Sequence, residues 1–212
     1  MTLFRGRPDA GKELAAALEH WRGADAVVVG IARGGVPVAA EVSRELGLPL
    51  SAIAVRKLGA PGHEEYALGA IADGVRVVAD DAVRRERVSA ADLADVERAE
   101  RVVLGRREAL LRGAASVTGR AAVVVDDGIA TGATAQAACQ AVRARGATRI
   151  VLATPVAPAS WRPDEGVVDE YVCPHRQREF WAVGQFYADF SQTTDAEVVR
   201  LLSRADPGVA ER

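Results

Sequence analysis

The sequence predicts an α/β fold, in which a mainly parallel, twisted sheet is flanked by helices. Short β-rich runs alternate along the chain with segments that have the apolar spacing of helices. The chain has 212 residues, of which 49% are hydrophobic, so it can bury one sizeable core. Two of the buried runs continue through a small-residue turn towards a helix. We therefore expect residues 1–212 to form a single domain with a flexible loop or insertion and a small C-terminal hood.

The first part of the chain alternates between helical and extended patterns. Residues 9–21 place apolar side chains on one helical face and open at Asp9, a possible cap. The buried run 26–31 predicts a strand, residues 36–46 have helical spacing, and residues 50–56 predict a second strand. This order predicts parallel neighbouring strands connected by a helix.

The character of the sequence changes between residues 57 and 88. Glycine, proline and charged residues predict a polar loop, and short β-like runs follow around Gly74. Ser89 and Asp92 then indicate the capped start of a long helix that reaches about Leu111. We therefore predict that segment 57–112 is a lid or insertion with a long helix.

The last part of the chain returns to the alternating pattern. The predicted elements are a strand at 121–125, a helix at 134–145, a strand at 149–156, a strand-like run at 167–173 and a final helix capped by Thr194 with Glu197. Segment 157–212 also contains the aromatic stretch 180–190. We predict that this segment forms the hood.

Charge and cysteine content exclude several classes of protein. The net charge is -2, so no overall positive field attracts nucleic acid or an anionic membrane. No apolar run approaches the ~18 residues that span a bilayer, and residues 1–9 lack the apolar core of a signal peptide, so a cytoplasmic protein is expected. Cys139 and Cys173 are far apart and lack metal-type spacing, which argues against a disulfide framework and a zinc site.

The most informative segment is 123–134, where a buried strand leads directly into Asp126 and Asp127. Carboxylates at the carboxyl end of such a strand can accept the hydroxyl groups of a sugar. The alternative is a capped turn without a ligand, but two acids after a buried strand are costly without partners.

A phosphate cradle is predicted immediately after these acids. The following helix presents unpaired N–H groups and the positive end of its dipole to an anion. Small residues let a phosphate approach the backbone, and threonine hydroxyls donate further hydrogen bonds. The predicted cradle consists of Ala130, Thr131, Gly132, Ala133 and Thr134. Together with the acids it predicts a site for a ribose 5-phosphate.

The order of strand, two acids, spacer and Thr-Gly-Ala-Thr resembles the signature of the type I phosphoribosyltransferase family. The resemblance implies a Mg²⁺-dependent transfer of the phosphoribosyl group from 5-phosphoribosyl-1-pyrophosphate (PRPP) to a small-molecule acceptor, with a nucleobase as one option. Asp126 and Asp127 would hold the ribose as catalytic residues, and Mg²⁺ would be bound mainly through PRPP. We also expect a homo-oligomer, a dimer.

The pyrophosphate of PRPP would need a second set of N–H groups and cations. Arg33, Gly34 and Gly35 follow the first buried strand, where the family has its pyrophosphate loop; an ordinary turn is the alternative. Lys57 and Arg56 end the second strand, and Lys57 is predicted to neutralise the departing pyrophosphate. A solvated pair of charges is the alternative.

Two further segments are assigned only through the resemblance. A mobile loop of the family closes over PRPP, which makes His63, Glu64, Glu65 and Tyr66 lid candidates, although a surface histidine is the favoured interpretation of His63.

In the 6-oxopurine branch, an aromatic residue stacks on the base and a later aspartate faces the metal. Trp181 and Asp189 correspond to them as acceptor-binding and metal residues, with one extra residue between them; aromatic packing in the core is the alternative for Trp181. Ala130 stands where that branch has an aspartate, as in adenine-type enzymes, which argues against a hypoxanthine or guanine acceptor.

Three other functions are alternatives to a transferase. A non-catalytic PRPP sensor or regulator would keep the cradle without the reaction. A phospho-receiver domain also places acids after a buried strand, but Thr-Gly-Ala-Thr fits a bound phosphate better. A PRPP synthase is disfavoured because neither a tandem repeat of the domain nor an ATP-binding motif is present.

Overall fold

The computed structural model describes residues 2–111, 115–164 and 166–205. The ends of the predicted segments 57–112 and 157–212 therefore lie partly outside the described residues. The side chains of Glu64 and Glu65, two of the lid candidates, also lie outside the described part.

A sheet of seven strands forms the centre of the molecule in the order β4-β3-β2-β1-β5-β6-β8. The strands among the described residues are β1 Ala26–Ala32, β2 Leu50–Ala60, β3 His63–Ala72, β4 Val75–Val78, β5 Ala121–Val125, β6 Arg149–Ala153, β7 Val156–Pro158, β8 Glu170–Val172 and β9 His175–Gln177. Strands β2, β1, β5, β6 and β8 run parallel to one another, whereas β3 pairs antiparallel with both β2 and β4. The predicted α/β class with a mainly parallel sheet is confirmed.

Helices cover both faces of this sheet. They are α1 Arg7–Ala17, α2 Gly35–Leu46, α3 Asp80–Arg85, α4 Ala90–Leu110, α5 Ala133–Ala144 and α6 Asp195–Ala205. Val28 of β1 packs with α1 and α2, whereas its neighbours Val27 and Val29 pack with α5 on the other face. A strand buried on both faces has an unbroken apolar sequence, which is why β1 and β5 were recognisable in the sequence. In the described ranges, no helix has the length and apolar character needed to cross a membrane.

The segment after Lys57 differs from the polar loop that the sequence predicted. Strand β2 continues to Ala60, turns at Pro61 and Gly62, and returns as β3. The alternating side chains of Leu58 and Ala60 are buried under α4. The hairpin therefore has an apolar face, which the charged residues of this segment make hard to recognise in the sequence. Helix α4 begins as predicted, because Ser89 Oγ accepts a hydrogen bond from the Asp92 amide at 3.1 Å.

The hood combines both ends of the described chain. The short strands β7 and β9 pair in parallel, and Phe4 forms a bridge with Tyr187. Helix α1 begins at Arg7 rather than at Asp9, since the carboxylate of Asp9 accepts the Arg5 amide instead of capping a helix. Thr194 caps α6 as predicted, with its hydroxyl accepting from the Glu197 amide at 3.1 Å.

Candidate functional site

A cleft of about 990 Å³ opens at the carboxyl ends of β1, β2 and β5. The chain passes from β1 to β2 on one side and later places β5 on the other side of β1. Such a reversal of strand order leaves a crevice between the two loops that follow β1 and β5. The volume lies at the upper end of the range of about 300–1,000 Å³ for ligand pockets, so the cleft can hold more than one small substrate.

Asp126 and Asp127 lie at the floor of the cleft, where β5 ends. The Asp127 carboxylate accepts a hydrogen bond from Arg7 Nε at 2.8 Å, and its backbone carbonyl accepts from the Tyr187 hydroxyl at 2.6 Å. Asp126 Oδ1 accepts from the Asp127 amide at 3.0 Å. These bonds fix the direction of both acids before any ligand arrives.

Burial and charge act in opposite directions on the two acids. Burial, and then repulsion from Asp127, raises the pKa of Asp126 well above its usual value. Burial also raises the pKa of Asp127, although the neighbouring Arg7 opposes this shift. Hydrogen-bond donors or cations would lower the free energy of two buried acids by stabilising their charged forms. A ligand with hydroxyl groups would provide such donors.

The predicted cradle is a tight turn between β5 and α5. Gly132 has a φ of 87°, a left-handed conformation that favours glycine, and α5 begins at the next residue. The indole of Trp161 lies against Gly132, and its Nε1 donates to the Thr131 carbonyl at 3.2 Å. Trp161 therefore supports the turn from behind, while Thr131 and Thr134 line the cleft.

The first loop of the cleft, between β1 and α2, packs directly on the acids. A Cβ atom on Gly35 would lie 2.5 Å from the Val125 carbonyl oxygen and 3.0 Å from Asp126 Cα, while a Cβ on Gly34 would overlap the Asp127 carboxylate. Glycine is needed here for space. The loop also contains a cis peptide bond between Ala32 and Arg33.

Positive side chains gather at the end of the cleft beyond this loop. Arg33, Arg56, Lys57 and Arg107 all line it. Arg56 Nε lies 2.5 Å from Glu100 Oε2 of α4, whereas Lys57 is exposed. Burial, and then repulsion from the Arg56 and Arg33 guanidinium groups, lowers the pKa of Arg107. A polyanion in this part of the cleft would relieve that repulsion.

The opposite end of the cleft is formed by the hood. Its lining residues there are Ala182, Val183, Phe190, Gln192 and Thr193. A Cβ on Gly128 would overlap the Val183 side chain, so the glycine lets the hood pack onto the turn that carries the acids. This end is less charged than the other and suits a flat or apolar group.

The structure brings most of the predicted site residues into this one cleft. The predicted residues that line it are Arg33, Gly34, Arg56, Lys57, Asp126, Asp127, Ala130, Thr131, Gly132 and Thr134. Gly35 and Ala133 begin the two helices behind them.

Two predicted residues are placed elsewhere. Trp181 is 91% exposed and is not among the described residues that line the cleft, although its neighbour Ala182 is. Asp189 is exposed, and its Oδ1 accepts from the Ser191 amide at 2.9 Å. Their roles towards an acceptor and a metal stay predictions.

Arg7, Arg107 and Trp161 were not singled out from the sequence. A signal for Arg7 exists in retrospect, because a cation at the first position of a helix opposes the helix dipole. Arg107 is one of many arginines on α4, and Trp161 lies in an irregular segment, so neither has a local pattern that marks it.

Comparison with known proteins gives a consistent result. Residues 8–191 match the model of the family described as phosphoribosyl transferase domain. A protein of Mycobacterium tuberculosis, present in strains H37Rv and CDC 1551 and named provisionally as a phosphoribosyl transferase, is 50% identical over 221 aligned residues. The match covers 100% of this chain and 49% of the relative, so the chain spans about half the length of the curated relatives it matches.

A solved structure is also similar over nearly its whole length. The protein TT1426 from Thermus thermophilus has 39% sequence identity and a TM-score of 0.73. The alignment covers 96% of this chain and 99% of that chain.

Proposed function

The chain belongs to the phosphoribosyl transferase family, and we propose on this premise that it transfers the 5-phosphoribosyl group of PRPP to an acceptor and releases pyrophosphate. The observation that carries the proposal is the arrangement of Asp126 and Asp127 between a helix N-terminus and a cluster of cations. The distribution of charge along the cleft matches the distribution of phosphate along PRPP. The family assignment does not favour a non-catalytic sensor.

The 5-phosphate would bind at the N-terminus of α5. The first N–H groups of that helix have no partner within the helix, and the positive end of its dipole attracts an anion. Thr131 and Thr134 add hydroxyl donors at the cleft surface. The ribose hydroxyls would then donate to the Asp126 and Asp127 carboxylates, and the pyrophosphate would reach Arg33, Arg56, Lys57 and Arg107.

The reaction would break the bond between the anomeric carbon and pyrophosphate while the acceptor nucleophile forms a bond to the same carbon. Positive charge develops on the ribose ring as pyrophosphate leaves. Carboxylates held beside the ring stabilise that charge, and the cations of the opposite loop stabilise the leaving group. Arg107, which the sequence had not suggested, would contribute to this stabilisation.

Mg²⁺ is implied by the family, and the residues fit it. Carboxylate oxygens such as those of Asp126 and Asp127 are donors that Mg²⁺ prefers. Within the described ranges, no group of three or more His, Cys, Asp or Glu side chains is arranged to hold a metal, so PRPP oxygens would supply most of the ligands. Bound there, Mg²⁺ would neutralise part of the pyrophosphate charge.

The insertion and the hood would enclose the substrates. The hairpin turn at Pro61 and Gly62 lines the cleft, so we propose that segment 57–112 acts as its lid. Segment 157–212 would form the acceptor side, where Ala182, Val183 and Phe190 line the cleft. We further propose that the chain forms a homo-oligomer, namely a dimer. Light scattering would test this by measuring its mass in solution.

The decisive experiment uses the two lysines of the chain as a matched pair. PRPP with Mg²⁺ should raise the melting temperature of the wild type, because it binds only the folded state, and a panel of nucleobases should reveal pyrophosphate release. Lys57→Ala should lower kcat more than it lowers PRPP affinity, since Lys57 lines the cleft beside the predicted leaving group. Lys12→Ala, on the exposed side of α1, should change neither. An absence of PRPP binding at millimolar concentration would overturn the proposal.

A further inference from the structure

Arg7 makes three contacts inside the molecule although it lies near the start of the chain. Its Nε donates to Asp127 Oδ2 at 2.8 Å, and its Nη1 donates to the Ser191 carbonyl at 2.7 Å. Its guanidinium carbon lies 4.1 Å from the centre of the Phe190 ring. The side chains of Arg7 and Asp127 are only 11% and 13% exposed. The ion pair is therefore largely removed from solvent.

The loop after β1 leaves room for this pair. A Cβ on Gly34 would overlap the Asp127 carboxylate and lie 3.3 Å from Arg7 Nη2. The helix α1, the acid turn, the loop after β1 and the hood thus meet around one guanidinium group. A change in the position of any of them would disturb the same ion pair.

Physical chemistry indicates why an arginine is present at this position. A cation at the first residue of a helix is disfavoured by the helix dipole, and its burial costs further free energy. The ion pair with Asp127 offsets both of these costs. The guanidinium occupies Oδ2, and among the described residues no other side chain donates a hydrogen bond to the Asp127 carboxylate.

We propose that Arg7 is a positioning residue for phosphoribosyl transfer: it fixes Oδ2 of Asp127, leaves Oδ1 to accept a ribose hydroxyl, and ties the hood to the ribose site. This inference rests on the proposed function and adds a residue to it. A guanidinium suits the task because its planar fork can donate to a carboxylate and a carbonyl at once.

The charge of Arg7 also stabilises the ionised form of Asp127. The groups that face Asp127 are Arg7 from α1, Lys57 from β2, Asp126 of the same turn and Tyr187 from the hood. Of these groups, Arg7 makes the direct ion pair, with Nε 2.8 Å from Asp127 Oδ2.

The test compares Arg7→Gln, Arg7→Lys and the control Arg5→Gln. Arg5 is two residues away and exposed. PRPP affinity is measured by calorimetry at neutral pH. Arg7→Gln should weaken binding about 10- to 100-fold, the range for loss of a charge-assisted hydrogen bond. Arg7→Lys should recover only part of this affinity, because it keeps the charge and loses the fork. Arg5→Gln should match the wild type.

Each outcome separates this inference from the function on which it rests. If the wild type fails to bind PRPP, the proposed function is wrong and the inference falls with it. If the wild type binds and Arg7→Gln keeps the affinity, only the inference is wrong. A weaker affinity that Arg7→Lys does not recover at all would make Arg7 a structural residue and would also overturn the proposal. If Arg7→Gln does not fold, Arg7→Lys decides: wild-type affinity in that variant would contradict a role for the guanidinium fork.

Discussion

The floor of the cleft and its hood end are built in different ways. The acid turn and the cradle at the floor come from one continuous segment, residues 126–134, between β5 and α5. The hood end is assembled from parts of the chain that are far apart: Arg7 and Asp127 are 120 residues apart, and Arg7 and Ser191 are 184 apart. The floor depends on local backbone geometry, whereas the hood end depends on correct packing of the whole domain.

The difference indicates which part of the cleft can vary while the other part is kept. A cradle made of backbone N–H groups and small residues can bind the same phosphate in many proteins, since it needs few particular side chains. The hood end contributes Val183 and Phe190, and Phe190 lies against Arg7 of α1, which pairs with Asp127. Variation in the hood can therefore change this end of the cleft while the turn between β5 and α5 stays the same.

The largest expected effect on stability and binding comes from Gly35→Ala, which adds a methyl group between the loop after β1 and the loop after β5. In Gly35→Ala, the new Cβ would lie 2.5 Å from the Val125 carbonyl and 3.0 Å from Asp126 Cα, both of which are backbone atoms that cannot rotate away. We expect about 1 to 3 kcal/mol of destabilisation in urea unfolding, the usual cost of overpacking, and a loss of PRPP binding.

Gly105→Ala is the control for this substitution. Gly105 lies in α4, and outside the backbone of that helix no described atom lies within 4 Å of the position that its Cβ would take. Alanine there should stabilise the helix by about 0.5 to 1 kcal/mol. If both variants unfolded at the urea concentration of the wild type, the close approach of the β1 loop to the acids would be contradicted.

Asp127→Asn should have the next largest effect, because Asp127 belongs to the floor of the cleft and also contacts Arg7. The substitution keeps the shape but removes the charge that pairs with Arg7 and that we propose to bind the ribose. Loss of such a charge-assisted bond costs about 1.5 to 3 kcal/mol, or roughly 10- to 150-fold in kcat/KM. Steady-state kinetics with PRPP measure the effect. An unchanged kcat/KM would make this acid a structural cap.

Trp161→Phe tests whether support from behind the cradle matters. Phenylalanine keeps part of the contact with Gly132 but cannot donate to the Thr131 carbonyl. Loss of one neutral hydrogen bond costs about 0.5 to 1.5 kcal/mol, so KM for PRPP should rise about 2- to 10-fold with little change in kcat. Trp21→Phe is the control, since Trp21 also donates one hydrogen bond, to Glu170, away from the cleft. Equal effects of the two variants would exclude a specific role for Trp161.

Trp181→Ala should have the smallest effect. The side chain is 91% exposed, so we expect a change in the free energy of unfolding within about 0.5 kcal/mol and unchanged PRPP affinity. A rise in KM that is confined to the acceptor would support the stacking role predicted from the sequence. A large loss of stability in thermal unfolding would show that the indole is buried in solution.

Local signals were sufficient for the central strands and for the turn between β5 and α5. The strands β1 and β5 are buried on both faces and appear as unbroken apolar runs, and the acids with Gly132 and its threonines follow β5 without interruption. Ser89 and Thr194 cap their helices through bonds within three residues. Short-range patterns of this kind can be read from sequence because the interacting groups are neighbours in the chain.

Tertiary packing decided the remaining features. The residues after Lys57 form a hairpin because α4 covers Leu58 and Ala60, and nothing in their local composition indicates that cover. The sequence placed the two acids in a site, but the ion pair of Asp127 with Arg7 exists only because α1, the loop after β1 and the hood meet there. Such contacts join residues that are more than a hundred positions apart, and their free energy depends on burial that only the folded chain provides.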